Sequence, residues 1–146
     1  MINSISELIE YAFNDISNQL KTFEFQNLDD EIERMMLEKL LNLNLKNFKR
    51  TIDNYAIIHT QNKHGQENIE ISRGQIAVRI EDYLLIPDVV KYADYISVGE
   101  KSNIGTELII YEKEIEGICY FYVEEVRKKR KNLSMKTLYK RKASTK

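Results

Sequence analysis

The chain has 146 residues, with 22 Lys or Arg against 23 Asp or Glu, and 42% of its residues are hydrophobic. This length and composition suit one globular domain and show no internal repeat or low-complexity stretch. No apolar run is long enough to cross a membrane, and the N-terminus lacks the basic start of a signal peptide. The lone cysteine, Cys119, cannot form an internal disulfide, and its place in a predicted strand indicates a buried apolar role. We therefore expect a cytosolic or injected protein.

Charge is distributed unevenly along the chain. Residues 1–38 carry nine acidic residues against two basic ones, a balance of −7, whereas residues 127–146 carry ten Lys or Arg and no acid. This asymmetry predicts an electrostatic footprint at the C-terminal end. Because apolar and hydroxyl residues interleave with the basic ones up to Lys140, we describe only residues 143–146 as a basic tail.

The acidic N-terminal segment, residues 1–42, is predicted to form two helices. Ser4 and Glu7 make a candidate capping box for the first. Its apolar stripe comprises Ile5, Ile9, Ala12, Phe13, Ile16 and Leu20. After a break over residues 21–27, a second helix is expected from about Asp29. Its apolar face comprises Ile32, Met35, Met36, Leu40 and Leu41. We interpret this segment as a helical hairpin that either packs on the main domain or offers a surface to a partner.

The central part of the chain holds both histidines, His59 and His64. After a short predicted strand over residues 43–50, a helix is expected from an N-cap at Thr51 to His64, with Gly65 at positive φ beyond its end. At ~3.6 residues per turn, five residues rotate the side chain by roughly 140°, so the two histidines cannot share a helix face. His59 lies on a mainly apolar face and suits a core position as well as a catalytic one. His64 lies at the helix exit, where it could instead complement the helix dipole.

The remaining pattern predicts mostly strands. Residues 66–79 are expected to form two short extended pieces around a turn at Gly74, and a short helix should begin at Ile86-Pro87. Four strands are then expected, over residues 95–100, 107–113, 118–126 and 133–140, which indicates an antiparallel meander. Helices first and strands after give an α+β fold, with N-terminal helices, a mainly antiparallel four-stranded sheet and a main domain at 43–142.

The available residue types favour one kind of catalysis. Two histidines and one cysteine support a zinc site poorly, and there is no Gly-rich phosphate loop, nucleophile elbow or dinucleotide fingerprint. What remains is a set of His, Lys, Arg, Thr and Tyr residues that can act on a phosphodiester without metal or cofactor. Cleaving RNA this way needs a base for the 2′-OH proton, an acid for the 5′-oxygen and cations around the phosphate. A histidine near neutral pH can take either proton role.

The order of several short motifs resembles a known family. The motifs are His64-Gly65, Arg73-Gly74-Gln75, Asp82 with Ile86-Pro87, Gly117 with Tyr122-Val123-Glu124, and Leu133-Ser134 with Thr137-Leu138-Tyr139-Lys140. In this order, residues 43–142 resemble the phage-associated nucleases of the barnase–EndoU–colicin–RelE-like superfamily, which often end phage head-morphogenesis proteins. The resemblance implies a metal-independent ribonuclease fold of two helices against a four-stranded antiparallel sheet. It also implies an active site built from the histidine helix, a basic residue and a hydroxyl on the final strand.

Carried over by position, the resemblance implies roles for individual residues. His64 would be the general base or acid, with His59 as its partner. Arg73 would contact the phosphate and Thr137 would supply the last-strand hydroxyl. Further substrate contacts are expected from Lys63, Gln75, Arg79, Ser134, Tyr139 and Lys140. The structural alternatives are that Arg73 braces a turn and that Thr137 packs within the sheet.

These observations predict a toxin-like, metal-independent endoribonuclease that leaves a 2′,3′-cyclic phosphate, with tRNA as one candidate substrate. Its partners would be RNA and either a protein inhibitor or a phage structural protein, and it would act in the cytoplasm, or in the host cytosol if phage-delivered. The alternative is a non-catalytic module on the same fold that binds nucleic acid or a phage structural partner. Catalysis requires His64, Arg73 and Thr137 to converge in space, whereas a binding module does not.

Overall fold

A computed structural model describes residues 2–14 and 19–143 of the chain. Ile16 of the first predicted stripe and residues 144–146 of the predicted basic tail lie outside the described residues. The helices are α1 (Ile5–Asn14), α2 (Glu31–Leu41), α3 (Asn54–His64), α4 (Glu67–Ser72), a 3-10 helix (Ile80–Leu85) and α5 (Ile86–Lys91). The strands are β1 (Thr22–Asn27), β2 (Lys49–Asp53), β3 (Tyr95–Val98), β4 (Leu108–Ile115), β5 (Ile118–Arg127) and β6 (Asn132–Lys142). In this part of the chain, no helix combines the length and apolar character that a membrane span needs.

The strands form one sheet in the order β1-β2-β6-β5-β4-β3. Strands β3 to β6 are paired antiparallel in succession, which confirms the predicted meander. The fold is α+β as expected, but the sheet has six strands rather than four and is mixed. The difference arises because β2 pairs parallel with the start of β6, and β1 adds antiparallel to β2. Local alternation of apolar residues predicts that a segment is a strand, whereas the strand it pairs with depends on tertiary contacts between segments distant in the sequence.

Both helices predicted for the N-terminal segment are present, as α1 and α2, but the segment between them is a strand. Residues 22–27, expected to be a break, form β1, because an alternating Thr-Phe-Glu-Phe sequence suits a sheet edge. Helix α2 follows, and the carboxylate of Asp30 caps it by accepting bonds from the backbone nitrogens of Ile32 and Glu33. The proposed division of the chain at residue 42 stays a prediction.

Four of the five residues of the expected apolar face of α2 are exposed, and only Leu41 packs against the core. Of the two alternatives for this face, packing on the main domain is therefore wrong for most of its residues. Ile32 is 82% exposed and Met35 57% exposed, whereas Leu37 is fully buried. The inward side of α2 also carries Glu33, which pairs with the buried Arg50 of β2. Because this charged contact faces inward, most of the apolar stripe lies on the exposed side of the helix.

Arg50 is the centre of a buried charge network. Its Nε lies 3.2 Å from Oε2 of Glu124, and its Nη2 donates to the phenol oxygen of Tyr111 at 3.0 Å. Tyr111 in turn donates to Glu124 at 2.6 Å, and Gln26 accepts from Arg50 at 2.9 Å. Burial raises the pKa of Glu124, although Arg50 and Tyr111 oppose the shift. The network thus connects β1 and β2 with β4 and β5.

The histidine helix begins two residues later than predicted. Thr51 lies in β2, and Asp53 is the actual N-cap, with its carboxylate accepting from the backbone nitrogen of Ala56 at 2.8 Å. Gly65 does not take positive φ as expected but has φ −95°. Glycine is still needed there, because a Cβ would collide with the carbonyl oxygen of Gln61. The helix thus ends where the sequence predicts, for a different physical reason.

The segment after the histidine helix is helical where extended structure was expected. Residues 67–72 form α4, in which Ile71 is 65% exposed and Glu70 is buried. A short apolar alternation does not separate strand from helix, and here burial of the acid decides. The turn at Gly74 is as predicted, with φ +72°. Beyond it, the backbone nitrogen of Ile76 donates to the carbonyl of Lys140 at 2.9 Å, which fastens this segment to β6.

The main core lies between the helices and one face of the sheet. Helix α3 packs on β6, and α5 packs on β4 and β5. Tyr111, Tyr122 and Leu138 are register partners across three strands and are buried in this core. Successive strand residues point to opposite faces, so the neighbouring register pair of Phe121 and Tyr139 lies on the other face. The predicted second short helix begins at Ile86, as the sequence indicates.

Candidate active site

His64, Glu70 and Arg73 form a connected group between α3 and α4. Nδ1 of His64 lies 3.1 Å from Oε2 of Glu70, and the two residues are 6% and 0% exposed. The other carboxylate oxygen accepts from Nη1 of Arg73 at 3.1 Å. The same guanidinium donates to the backbone carbonyl of Lys63 at 3.1 Å. The fold therefore joins the predicted histidine and arginine through an acid.

The carboxylate determines what the histidine can do. Because a carboxylate accepts hydrogen bonds, Nδ1 of His64 carries the proton in this contact. The opposite ring nitrogen, Nε2, is then the atom that can take or return a proton. An acid that orients a histidine in this way is a recurring device in hydrolytic sites. Arg73 is partly exposed, with 43% of its side chain accessible, so it can also meet an incoming anion.

An aromatic stack from the sheet meets the ring of His64. The centroids of His64 and Tyr139 are 5.6 Å apart. Tyr139 stacks on Phe121 at 4.8 Å with an interplanar angle of 9°, and the guanidinium of Arg141 lies 5.0 Å from the Phe121 ring. Burial raises the pKa of Tyr139 despite the nearby Arg141, so the phenol keeps its proton near neutral pH. The stack positions one face of the histidine and places a neutral phenol beside it.

Unpaired polar atoms occur close to these residues in the chain. Oγ1 of Thr137, Oε1 of Gln75 and Oγ1 of Thr60 are buried and have no hydrogen-bond partner in the described part of the protein. Thr60 precedes His64 by one helical turn and so shares its face. Thr137 is two residues before Tyr139 on β6, which puts both on one face of the strand, about 7 Å apart. Buried polar groups normally have partners, so these three shielded atoms stand out among the polar groups near the site.

Other predicted residues lie outside this group. His59 is exposed on another side of α3, which excludes the core position considered for it. Ser134 is buried, and its hydroxyl lies 3.0 Å from that of Thr51 where β2 and β6 run parallel. Arg79 is exposed at the start of the 3-10 helix. No described contact connects these three with His64.

Lys140 and Lys63 have structural contacts. Nζ of Lys140 lies 2.7 Å from the carboxylate of Asp82, and both residues are buried. The same ammonium lies 5.6 Å from the ring centroid of Tyr120. Lys63 is exposed and contributes its carbonyl oxygen to Arg73 rather than its ammonium group. Both lysines neighbour site residues, and Lys140 is already neutralised by an acid.

Glu70 is the site residue that the sequence did not reveal. It follows His64 by six residues, in a segment whose alternation predicted a strand. Only the helical form of α4, entered through the tight turn at Gly65, returns the acid to the histidine. The one available signal was the presence of two acids, Glu67 and Glu70, between the His-Gly and Arg-Gly-Gln motifs. Across residues 2–14 and 19–143, no group of three or more His, Cys, Asp or Glu residues is placed to hold a metal ion.

Comparison with known proteins gives a match at the level of the family. Neither the curated proteins nor the solved structures include a significant match to this chain. The sequence model described as "phage-Barnase-EndoU-ColicinE5/D-RelE like nuclease3" matches residues 30–146. The matched region covers most of the chain and includes α2, which lies before the region where the motif resemblance began. The chain therefore belongs to this family of phage-associated barnase–EndoU–colicin E5/D–RelE-like nucleases.

Proposed function

We propose that this protein is a metal-independent endoribonuclease whose proton-transfer residue is His64. The observation that supports the proposal is the contact of Nδ1 of His64 with the buried carboxylate of Glu70, which also binds Arg73. The three groups supply an oriented base and a cation for the phosphate. Membership of a nuclease family makes a nucleic acid the substrate.

The proposed reaction is attack of the ribose 2′-oxygen on the adjacent phosphorus. Nε2 of His64 takes the 2′-OH proton as the new P–O2′ bond forms. The P–O5′ bond breaks, and the leaving 5′-oxygen receives a proton from Tyr139 or from the protonated histidine. Arg73 balances the charge that develops on the phosphate oxygens. The products are a 2′,3′-cyclic phosphate and a free 5′-hydroxyl.

Thr137 and Gln75 are proposed to hold the substrate. Their buried oxygens have no partner within the described residues, and a hydroxyl at Thr137 can donate to a phosphate oxygen or accept from the 2′-OH. This assignment keeps the last-strand hydroxyl in a binding role rather than a proton-transfer role. Loss of the Thr137 hydroxyl should therefore cost less activity than loss of the His64 ring.

The direct test is RNA cleavage in chelator by wild type and His64→Ala. Removing a proton-transfer group typically lowers the rate by ~10²–10⁴-fold. His59→Ala is the matched control, because it removes an exposed histidine from another side of the same helix. We expect it to cut near the wild-type rate and the products to carry a 2′,3′-cyclic phosphate. A folded His64→Ala that cuts at the wild-type rate would refute the assignment, and loss confined to His59→Ala would transfer the role there.

A binding module without catalysis is the second candidate. Its supporting observation is that His64 is only 6% exposed, as suits a ring that braces α4. Such a module would bind RNA with an affinity that falls with salt, whatever residue occupies position 64. Wild-type protein that binds RNA and leaves it intact would favour this candidate. A toxin-like role in a host cytosol, and tRNA as the target, are part of our proposal for the active enzyme alone.

A further inference from the structure

The turn between β5 and β6 carries a dense group of cations. Lys128, Lys129, Arg130 and Lys131 are all exposed there, and Lys46 is exposed in the loop before β2. Lys128 lies 3.5 Å from Glu107. Within the described ranges, no ion pair involves Lys46, Lys129, Arg130 or Lys131. Several positive charges at this end of the sheet are therefore not paired with any acid in the described ranges.

Two hollows flank the turn and differ in charge. The hollow on the β4 side has a volume of about 440 Å³, and its basic residues are opposed by Glu107 and Glu125. The hollow on the β2 side has a volume of about 340 Å³. It is lined by Leu43, Asn44, Lys46, Asn47, Phe48, Lys128 and Lys131. Three ammonium groups, one of them the Lys128 group that also contacts Glu107, and two amides line this hollow with no acid, which suits a phosphate of a nucleic-acid backbone.

The lysine hollow, as we call this second hollow, is far from the candidate active site. Strand β6 runs from Asn132 beside the turn to Tyr139 beside His64. Seven residues of strand span about 20 Å. Its lysines therefore cannot contact the phosphate that His64 would act on, and a ligand must be long to meet both places.

We propose that the lysine hollow is a second RNA-backbone site, which selects folded RNA over short single strands. The inference rests on the proposed function and adds to it the class of substrate. A dinucleotide can occupy only the site at His64, whereas a folded RNA can place one phosphate there and another about 20 Å away. The hollow contacts no reacting atom, so it should affect binding and leave the chemical step unchanged.

The test compares wild type with a double variant that carries both Lys46→Gln and Lys131→Asn. Asn is chosen at position 131 because Lys131 has φ +53°, which Asn tolerates. The control pairs Lys21→Gln with Lys91→Gln, two exposed lysines elsewhere that remove the same charge. We expect the hollow variant to raise KM for tRNA about tenfold while kcat for tRNA and both constants for a dinucleotide stay unchanged. The control should differ from wild type by far less.

A binding measurement separates this inference from the proposed function. In a His64→Ala background, tRNA affinity should fall in the hollow variant, and its dependence on log salt should flatten by roughly one unit per lost contact. Unchanged affinity and slope would overturn the site, whether or not the enzyme cleaves RNA. Absence of RNA cleavage by the wild-type protein, together with the expected loss of affinity in the hollow variant, would refute only the proposed function. Preferential binding of polyglutamate over tRNA at the hollow would assign it to an acidic protein and also overturn the inference.

Discussion

Replacing Glu70 with Gln tests the candidate site without changing the size of the side chain. The carboxylate accepts from Nδ1 of His64 and from Nη1 of Arg73, each at 3.1 Å. A glutamine amide offers one oxygen and one NH₂ group. If Nδ1 of His64 and Nη1 of Arg73 both still donate, one of them must face the NH₂ group, and that contact is lost along with the negative charge. The other tautomer of His64 keeps the contact only by placing the proton on Nε2, where the ring can no longer accept one.

The expected loss follows from the energy of that contact. A hydrogen bond to a charged group contributes about 1.5–3 kcal/mol. Glu70 is fully buried and the histidine side chain is 7% exposed, so solvent screening removes little of this value. At 1.36 kcal/mol per factor of ten, kcat/KM should fall about 10- to 150-fold. The loss should be smaller than that of His64→Ala, because the proton-transfer group itself remains.

The assay is cleavage of a dinucleotide in chelator, with folding checked by circular dichroism. Glu67→Gln is the matched control, because it removes an exposed acid one turn earlier on the same helix. We expect the control to retain the wild-type rate. A folded Glu70→Gln with wild-type kcat/KM would refute the role of the acid. An equal loss in both variants would show that the effect comes from net charge and not from the contact with His64.

Three further predictions concern stability. Arg50→Ala should lower the free energy of unfolding, measured in urea, by about 3–5 kcal/mol, because it leaves a buried carboxylate without its cation. The control Lys49→Ala removes one partner of an exposed ion pair and should lower the free energy of unfolding by less than ~1 kcal/mol. Equal effects would contradict the network. Gly65→Ala should cost about 1–3 kcal/mol through the collision of its Cβ, and an unchanged urea midpoint would count against that packing. Burial raises the pKa of Glu125, but hydrogen bonds from Thr106 and a neighbouring arginine outweigh burial and hold it below its ordinary value. A lowered folded-state pKa stabilises the protein above the unfolded pKa, and this stability is lost as pH falls through the folded pKa. As the pH falls from about 6 to about 3, the Thr106→Val variant should therefore lose less free energy of unfolding than wild type. An equal loss in both proteins would refute the role of Thr106 in lowering the pKa of Glu125.

The sequence by itself determined the meander and the end of the histidine helix. Strands β3 to β6 are joined by short connections, so alternation and turn residues close in the chain suffice to predict them. The turn at Glu116 and Gly117, both at positive φ, is a local signal of the same kind. The order of motifs also placed the chain among these nucleases, because that order does not depend on knowing the partners of each strand.

Only the tertiary structure decided the mixed half of the sheet and the acid of the site. β2 pairs with β6 through residues more than eighty positions apart, and Arg50 meets Glu124 across 74 positions. The short segments β1 and α4 have weak local preferences, so pairing and burial determine their form. Helix α2 turns most of its apolar stripe outward because Glu33 is held by the buried Arg50. Glu70 reaches His64 for a related reason: a six-residue helix buries that one acid, and no periodicity in so short a segment predicts which way it will face.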